Sequence, residues 1–184
     1  MMQAPEVMRK LPGITIMGGA NFYTNAHTAM AEYNIYADPE AADVVFRFGL
    51  PITLVTLEAC MDEGAPLNDA EITRLKAAGE AGAFCVDCNQ AGIDMMRNAD
   101  GQIKMELPDP AAYAVFSKPE LAKTSFESET IIELGGDYSR GTTIFRRRVG
   151  FFETVPLRVN SRVVTALHGK EFKDFLIGLM ERKA

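Results

Sequence analysis

An apolar segment followed by an acid and an amide is the part of this chain best suited to chemistry. Residues 14–17 are apolar or β-branched and lead directly into Gly18 and Gly19. Two glycines at the end of a buried strand let the backbone approach a ligand at the carboxyl edge of a parallel sheet, where open α/β folds usually bind small molecules. Glu32 and Asn34 follow in the chain. A carboxylate and a carboxamide at this edge can hold hydroxyl groups of a ligand.

The elements that would position these residues alternate between strands and helices in the first half of the chain. Asp38, Pro39 and Glu40 form a strong helix start, with an acid at the N-cap and proline at the first helical position. Asn68 and Glu71 have capping-box spacing. The predicted strands here lie at 13–17 and 52–57. The predicted helices are a helix end at 6–10, helices at 38–49 and 68–78, and a further helix that reaches residue 96. Gly79 and Gly82 are expected to interrupt the helix at 68–78 or to separate it from the one that follows.

The second half is richer in strands. Asp109 and Pro110 can start a helix through about residue 116. Strands are predicted at 124–134 and 142–149, joined through a hairpin candidate at 135–137, and at 162–167, before an amphipathic helix at 170–182. This order predicts one α/β domain over residues 1–184, with a mostly parallel sheet and an added antiparallel segment.

Composition is that of an ordinary globular chain. Of 184 residues, 47% are hydrophobic and 24% charged, and the net charge of −6 argues against nucleic acid as a partner. The basic run at 146–148 is expected to decorate an exposed strand, although phosphate binding is the alternative. No apolar run approaches the roughly 20 residues that span a bilayer. A cytoplasmic protein that does not bind membranes is the default expectation.

The three cysteines fit a reducing compartment better than a disulfide framework. Cys85 and Cys88 form a C-x-x-C pair, for which a redox site or half of a zinc site is the chemical interpretation. However, residues 77–83 already read as helix, and no second pair of ligands follows at zinc spacing. Helical thiols without chemistry are therefore favoured.

Four segments together resemble the inosine-uridine nucleoside hydrolase family. The first joins a strand ending in Met-Gly-Gly to A-E-Y-N-I-Y-A-D-P-E-A-A, and it is the most specific; the four lie at 14–42, 107–115, 139–143 and 170–175. The resemblance implies a Rossmann-like, mostly parallel α/β fold with an antiparallel addition. It also implies hydrolysis of the N-glycosidic bond of a purine or pyrimidine ribonucleoside, which gives ribose and free base.

The resemblance also implies roles for single residues. Glu32, Asn34 and Asn25 would bind ribose hydroxyls, including the 5′ group, and Met17 would line the sugar site. Asp109 would be a ligand of calcium, the implied cofactor. Alternatives remain: Asp109 as a plain helix N-cap, Glu32 as a surface carboxylate, and Met17 as a core side chain. His27 is expected to be a solvated loop histidine.

The chain departs from the family pattern in three places. The family opens with D-x-D-x-G-x-D-D, which binds calcium, and this motif does not occur here. The chain therefore resembles an N-terminally truncated member. The family asparagine six residues before the glutamate falls on Ala26, with Asn25 one place earlier. Pro108 replaces the histidine that is the family's candidate proton donor.

Two hypotheses follow. In the first, the chain is part of a nucleoside hydrolase and is inactive alone. In the second, it is a non-catalytic remnant that binds nucleosides or serves in assembly. Both predict an unpaired edge on a strand that is central in the family, which a homo-oligomer or a companion chain would cover. Base preference, oligomer size and the true start are not determined by the sequence.

Overall fold

The structure is a computed structural model, and it describes residues 1–21, 29–62, 64–147 and 156–181. The described strands and helices alternate in the first half of the chain, and strands dominate after residue 120. The first-half elements are α1 (Pro5–Met8), β1 (Ile14–Met17), α2 (Tyr33–Ala37), α3 (Pro39–Arg47), β2 (Ile52–Val55), α4 (Leu57–Met61), β3 (Leu67–Asn68), α5 (Asp69–Ala77), α6 (Glu80–Cys88) and α7 (Gln90–Asp100).

The second half begins with a very short strand and a helix, and a 3₁₀ turn at Pro119–Leu121 leads into the longest strand. Its elements are β4 (Lys104–Met105), α8 (Pro108–Ser117), β5 (Ala122–Ile132), β6 (Thr143–Arg146), β7 (Ser161–Leu167) and α9 (Gly169–Met180). Among the described helices, none combines the length and the apolar character that a membrane crossing requires.

The described strands form a main sheet in the order β1-β2-β7-β5-β6. β1, β2 and β7 are parallel, with Ile14 opposite Ile52 and Ile52 opposite Ser161. β5 runs antiparallel to both β7 and β6. The predicted fold class, a mostly parallel α/β sheet with an added antiparallel segment, is therefore confirmed. β3 and β4 form a separate small antiparallel ladder.

Alternation along the strands gives the sheet two apolar faces. Leu54 and Val163 point to the face covered by α2 and α3, where they pack with Ile35 and Phe46. Val55 and its neighbour in the sheet Val164 point to the opposite face, which α4, α8 and α9 cover. Each such fully buried aliphatic side chain stabilises the fold by about 1.5–3 kcal/mol. A third cluster joins α5, α6 and α7 to α9.

Several predicted elements differ from those observed. The short helices α2 and α4 were not predicted, and α4 begins at Leu57, the last residue of the predicted strand at 52–57. Gly82 lies inside α6, and the break that separates α6 from α7 is at Asn89. The connection between β5 and β6 is a loop over residues 133–142, closed by bonds between Glu133 and both Gly141 and Thr142, and not a tight hairpin at 135–137.

Candidate functional site

The site is built on the turn that follows β1. Gly18 and Gly19 are buried, and Gly19 has a φ of +70°, a conformation that side chains other than glycine rarely adopt. A Cβ atom at Gly19 would lie 2.9 Å from the hydroxyl of Thr143. Glycine is therefore required here both for the backbone conformation and for the close approach of β6.

Glu32 is a buried carboxylate that binds three backbone amides. Its exposed fraction is 3%, which rules out the surface interpretation. Oε2 accepts hydrogen bonds from the N–H groups of Gly19 at 3.0 Å and Ile35 at 3.3 Å, and Oε1 accepts one from Asn34 at 2.8 Å. Glu32 is thus the N-cap of α2 and also a tie to the glycine turn. A carboxylate has about four acceptor positions, and the described residues occupy three of those of Glu32.

Asn34 lies beside the end of β1 and is exposed. Its amide nitrogen is 3.2 Å from the sulfur of Met17 and 3.4 Å from the carbonyl oxygen of the same residue. The structure therefore brings Glu32, Asn34 and Met17 together at the carboxyl edge of the sheet. Met17 is half-buried and packs against the core, as its core interpretation expects, and its role at the sugar site stays a prediction. Asn25 and His27 lie outside the described residues.

Asp109 lies on α8, across an open groove from β1. Met17, Asp109, Tyr113 and Phe116 are among the groove's lining residues. Asp109 is exposed and lies within the first turn of α8, which begins at Pro108. The alternative role of Asp109 as an N-cap is wrong, because the N-cap position belongs to Leu107. Buried alanines on α8 let the helix pack closely on β1.

The pKa of the buried Cys60 thiol reflects the carboxylates that surround it. Burial raises the pKa of Cys60 to about 12, and four nearby carboxylates contribute to the rise: Asp109, Glu32, Glu58 and Glu106. The Cys60 thiol donates to the carbonyl oxygen of Thr56 at 3.4 Å. It stays protonated at neutral pH, so it offers no thiolate nucleophile. The clustered charges favour a cation at this edge of the sheet.

Two residues of the site were missed by sequence reasoning. Glu58, in α4, is 7% exposed and accepts a hydrogen bond from the N–H of Asn21 at 2.6 Å. Thr143, in β6, is 5% exposed and accepts one from the N–H of Ala20 at 3.0 Å. The only available signal was their position, since Glu58 follows the carboxyl end of β2 and Thr143 ends one of the quoted segments.

The segment at 139–143 docks against α2 and α3. Arg140 donates to the carboxylate of Glu40 at 2.8 Å and to the carbonyl of Leu134 at 2.8 Å. The bond from Arg140 holds the pKa of Glu40 below its usual value. Gly141 has a φ of +82°, and a Cβ atom there would lie 3.0 Å from the Cα of Tyr36. These contacts fix the start of β6, and with it Thr143, beside the glycine turn.

Cys85 and Cys88 are free thiols in α6, half-buried and exposed respectively. Across the described part of the chain, no group of three or more histidine, cysteine, aspartate or glutamate side chains is arranged to hold a metal ion. Of the basic run, the structure describes Arg146, which is half-buried, and Arg147, which is exposed. Arg146 pairs with Glu129, and Arg147 lies 4.2 Å over the ring of Phe126.

An α/β sheet with a buried carboxylate and an exposed carboxamide at its carboxyl edge is typical of proteins that bind small molecules. The family model described as inosine-uridine preferring nucleoside hydrolase matches residues 1–174. The chain belongs to this family, and the resemblance identified from the sequence is confirmed.

Individual relatives support the assignment. The chain is 32% identical over 175 residues to the pyrimidine-specific ribonucleoside hydrolase RihA of Salmonella gallinarum, covering 94% of this chain and 53% of the relative. A purine-preferring ribonucleoside hydrolase from Gardnerella vaginalis has a TM-score of 0.78 at 27% identity, over 98% of this chain and 56% of that one. An inosine-guanosine nucleoside hydrolase has a TM-score of 0.83 at 25% identity, over 100% and 57%. The chain thus spans about half the length of these relatives.

Proposed function

We propose that this chain provides the ribose-binding part of a ribonucleoside hydrolase. The observation that carries the proposal is the grouping of Glu32, Asn34 and Met17 around the Gly18-Gly19 turn. One acceptor position of Glu32 and the exposed amide of Asn34 are available to ribose hydroxyls, including the 5′ hydroxyl. The names of the relatives support ribonucleosides as the substrate class.

The proposed reaction is the cleavage of the bond between ribose and base. Its transition state resembles an oxocarbenium ion, so an enzyme must hold the sugar firmly, activate a water and assist the leaving base. In this chain Glu32 and Asn34 serve the first task, since both lie at the start of α2, where hydrogen bonds to Gly19 and Met17 position them. A negative region near Asp109 and Glu106 also favours a sugar that becomes positively charged.

Calcium is proposed as a cofactor of the complete site, with Asp109 as one ligand. Calcium takes six to eight oxygen ligands. Asp109 is exposed at the groove, but Glu32 and Glu58 already accept backbone hydrogen bonds. The described residues therefore do not form a calcium site by themselves. The remaining ligands would come from a further polypeptide segment.

The second candidate is a nucleoside-binding module without catalysis. Pro108 opens α8 directly before Asp109, and it has no proton to donate to a leaving base. This observation favours binding over turnover in the isolated chain. Both candidates predict ribonucleoside binding, and they differ in whether ribose is released.

The test is a calorimetric titration of the chain with uridine, inosine and 5′-deoxyuridine. We expect uridine to bind about 10-fold more tightly than 5′-deoxyuridine. The 5′ hydroxyl adds one hydrogen bond, and a bond worth about 1.4 kcal/mol changes the dissociation constant 10-fold. The Asn34→Ala variant is the matched control, and it should reduce this ratio because a 5′ contact is already missing. Equal affinity for uridine and 5′-deoxyuridine, or no binding of any of the three ligands, would contradict the proposal. Release of ribose in the presence of calcium would distinguish the hydrolase from the binding module.

We also propose that a companion polypeptide covers the free edge of β1. Among the described strands, β1 pairs only with β2, and a parallel strand with an open edge offers unpaired backbone groups. Next to this edge, Tyr113 and Phe116 are 54% and 68% exposed. The chain covers only 53% of its curated relative, so the occupant we favour carries the other part of that fold.

Sedimentation of the chain alone tests this occupant. Without its companion, the chain should associate progressively with concentration through the open edge, and Phe116→Ser should reduce that association. Phe84→Ser is the control, since Phe84 is 69% exposed on α6 and lines no part of the groove. A discrete dimer that Phe116→Ser dissociates would instead identify a second copy as the occupant.

A further inference from the structure

Three consecutive backbone amides after β1 are each bound by a side chain from a different element. The N–H of Gly19 donates to Glu32 at 3.0 Å, that of Ala20 to Thr143 at 3.0 Å, and that of Asn21 to Glu58 at 2.6 Å. The acceptors are the N-cap of α2, the first residue of β6 and a residue of α4. We call these three side chains the turn brace. Such a concentration of side-chain acceptors on one short segment exceeds what closing a turn requires.

Thr143 contacts two residues of the turn, Ala20 and Gly19. Its hydroxyl accepts from the N–H of Ala20 and also donates to the carbonyl oxygen of Ala20 at 3.3 Å. The same hydroxyl and the methyl group of Thr143 fill the space where a Cβ of Gly19 would lie, at 2.9 and 3.0 Å. One buried side chain thus fixes both the main-chain orientation of Ala20 and the position of Gly19.

Glu58 contacts the turn from α4. Its neighbour Leu57, the first residue of α4, donates its backbone N–H to the carbonyl oxygen of Gly19 at 3.0 Å. The bond from Asn21 to the Glu58 carboxylate is short and charge-assisted, a type about twice as strong as a neutral hydrogen bond. Together, α4 and β6 hold the segment from Gly19 to Asn21 in one path.

We propose that Thr143 and Glu58 are positioning residues for the sugar site, and that they act through Glu32. The proposal rests on the proposed ribose-binding function. When Thr143 and Glu58 hold the turn, the N–H of Gly19 stays on Oε2 of Glu32. Among the hydrogen bonds of the described residues, Oε1 then accepts the one from Asn34, and it can offer its other acceptor position to a ribose hydroxyl. When the turn is released, the Glu32 carboxylate loses its fixed orientation, and the hydroxyl loses a preorganised acceptor.

The test compares three variants in the full chain. Thr143→Val keeps the shape and removes the hydroxyl, and Thr143→Ser restores it. Thr130→Val is the matched control, because Thr130 is 2% exposed in the adjacent β5 and its hydroxyl is bonded to Ser161, not to the turn. Amide hydrogen exchange at Gly19 and Asn21 is measured without ligand, and the dissociation constant for uridine is measured by calorimetry.

In Thr143→Val, we expect exchange at Gly19 and Asn21 to accelerate at least about 10-fold, although Thr143 bonds to neither amide. Both hydrogen bonds between the Thr143 hydroxyl and Ala20 are lost from the brace, and a single bond is worth about 1.4 kcal/mol. Uridine should bind about 10-fold more weakly for the same reason. Thr143→Ser should restore both values. Thr130→Val should change neither, even where its loss of global stability is similar.

Three results separate the turn brace from the proposed function. Exchange at Gly19 in Thr143→Val that equals that of the wild-type chain would overturn the turn brace, whatever uridine does. Faster exchange with unchanged uridine affinity would also overturn it as a device of the sugar site. Failure of the wild-type chain to bind any nucleoside would instead contradict the proposed function, and the exchange data would still decide whether the brace exists.

Discussion

Replacing Glu32 with alanine is expected to lower the free energy of unfolding by about 2–6 kcal/mol, since it leaves two buried backbone donors unpaired at about 1–3 kcal/mol each. Those donors are the N–H groups of Gly19 and Ile35, which both belong to buried residues. The third donor, from Asn34, is at an exposed position and can bond to water. Urea unfolding measures the loss. Uridine binding should disappear in the same variant, because the turn and the acceptor are lost together.

Two further variants separate the stability of the site from its chemistry. Glu32→Gln retains one acceptor oxygen, so its stability should fall between that of Glu32→Ala and that of the wild-type chain. Asn34→Ala removes an exposed side chain and should stay within about 0.5 kcal/mol of wild type while it weakens uridine binding. Wild-type stability in Glu32→Ala would show that the carboxylate does not hold the turn. Unchanged uridine affinity in Asn34→Ala would remove that residue from the site.

The parts of the fold that the sequence predicted depend on contacts within a few residues. Asp38 accepts the N–H of Ala41 at 2.9 Å, as expected for the N-cap of α3. The capping box of Asn68 and Glu71 is present in both directions. The strands β1 and β2 were recognisable because each is a short run of apolar or β-branched residues, which is a local signal. These signals also identified the edge of the sheet where the site lies.

The parts that the sequence did not predict depend on distant partners. α2 has five residues, and its N-cap carboxylate is also bound by Gly19, 13 residues away. Glu58 and Thr143 reach the turn from 37 and 123 residues away. A lone glutamate or threonine has no local pattern that indicates such a bond. Glu32 was singled out as a sugar ligand, but its main visible role is to hold the backbone.

The error at Asp109 has a local cause. An acid before a proline is a common helix start, and the sequence has two prolines, Pro108 and Pro110, around this acid. Because proline is already fixed near the helical φ, Pro108 can occupy the first helical position, and the helix begins one residue before Asp109. Asp109 is therefore free of capping and points from the first turn towards the groove it lines. Its proposed role as a metal ligand does not compete with a structural role.

Outside the site, Gly82→Ala is expected to lower the free energy of unfolding by about 1–3 kcal/mol, the usual range for overpacking. Gly82 is buried in α6, where a Cβ atom would lie 2.1 Å from the carbonyl oxygen of Leu75 and 3.4 Å from the Cβ of Ala78. Because the closest atom belongs to the backbone of α5, no side-chain rotation relieves the overlap. α5 and α6 would have to separate, and this would open the cluster that Leu75 and Val86 share.

Gly178→Ala is the matched control in thermal or urea unfolding. Gly178 also lies inside a helix, α9, but a Cβ atom there has no neighbour within 4 Å. This variant should gain about 0.5–1 kcal/mol, because alanine loses less backbone entropy than glycine on folding into a helix. The two changes add the same methyl group to a helix, so their difference measures the contact between α5 and α6 alone. If both variants gained stability equally, α6 would not approach α5 as closely as the structure places it.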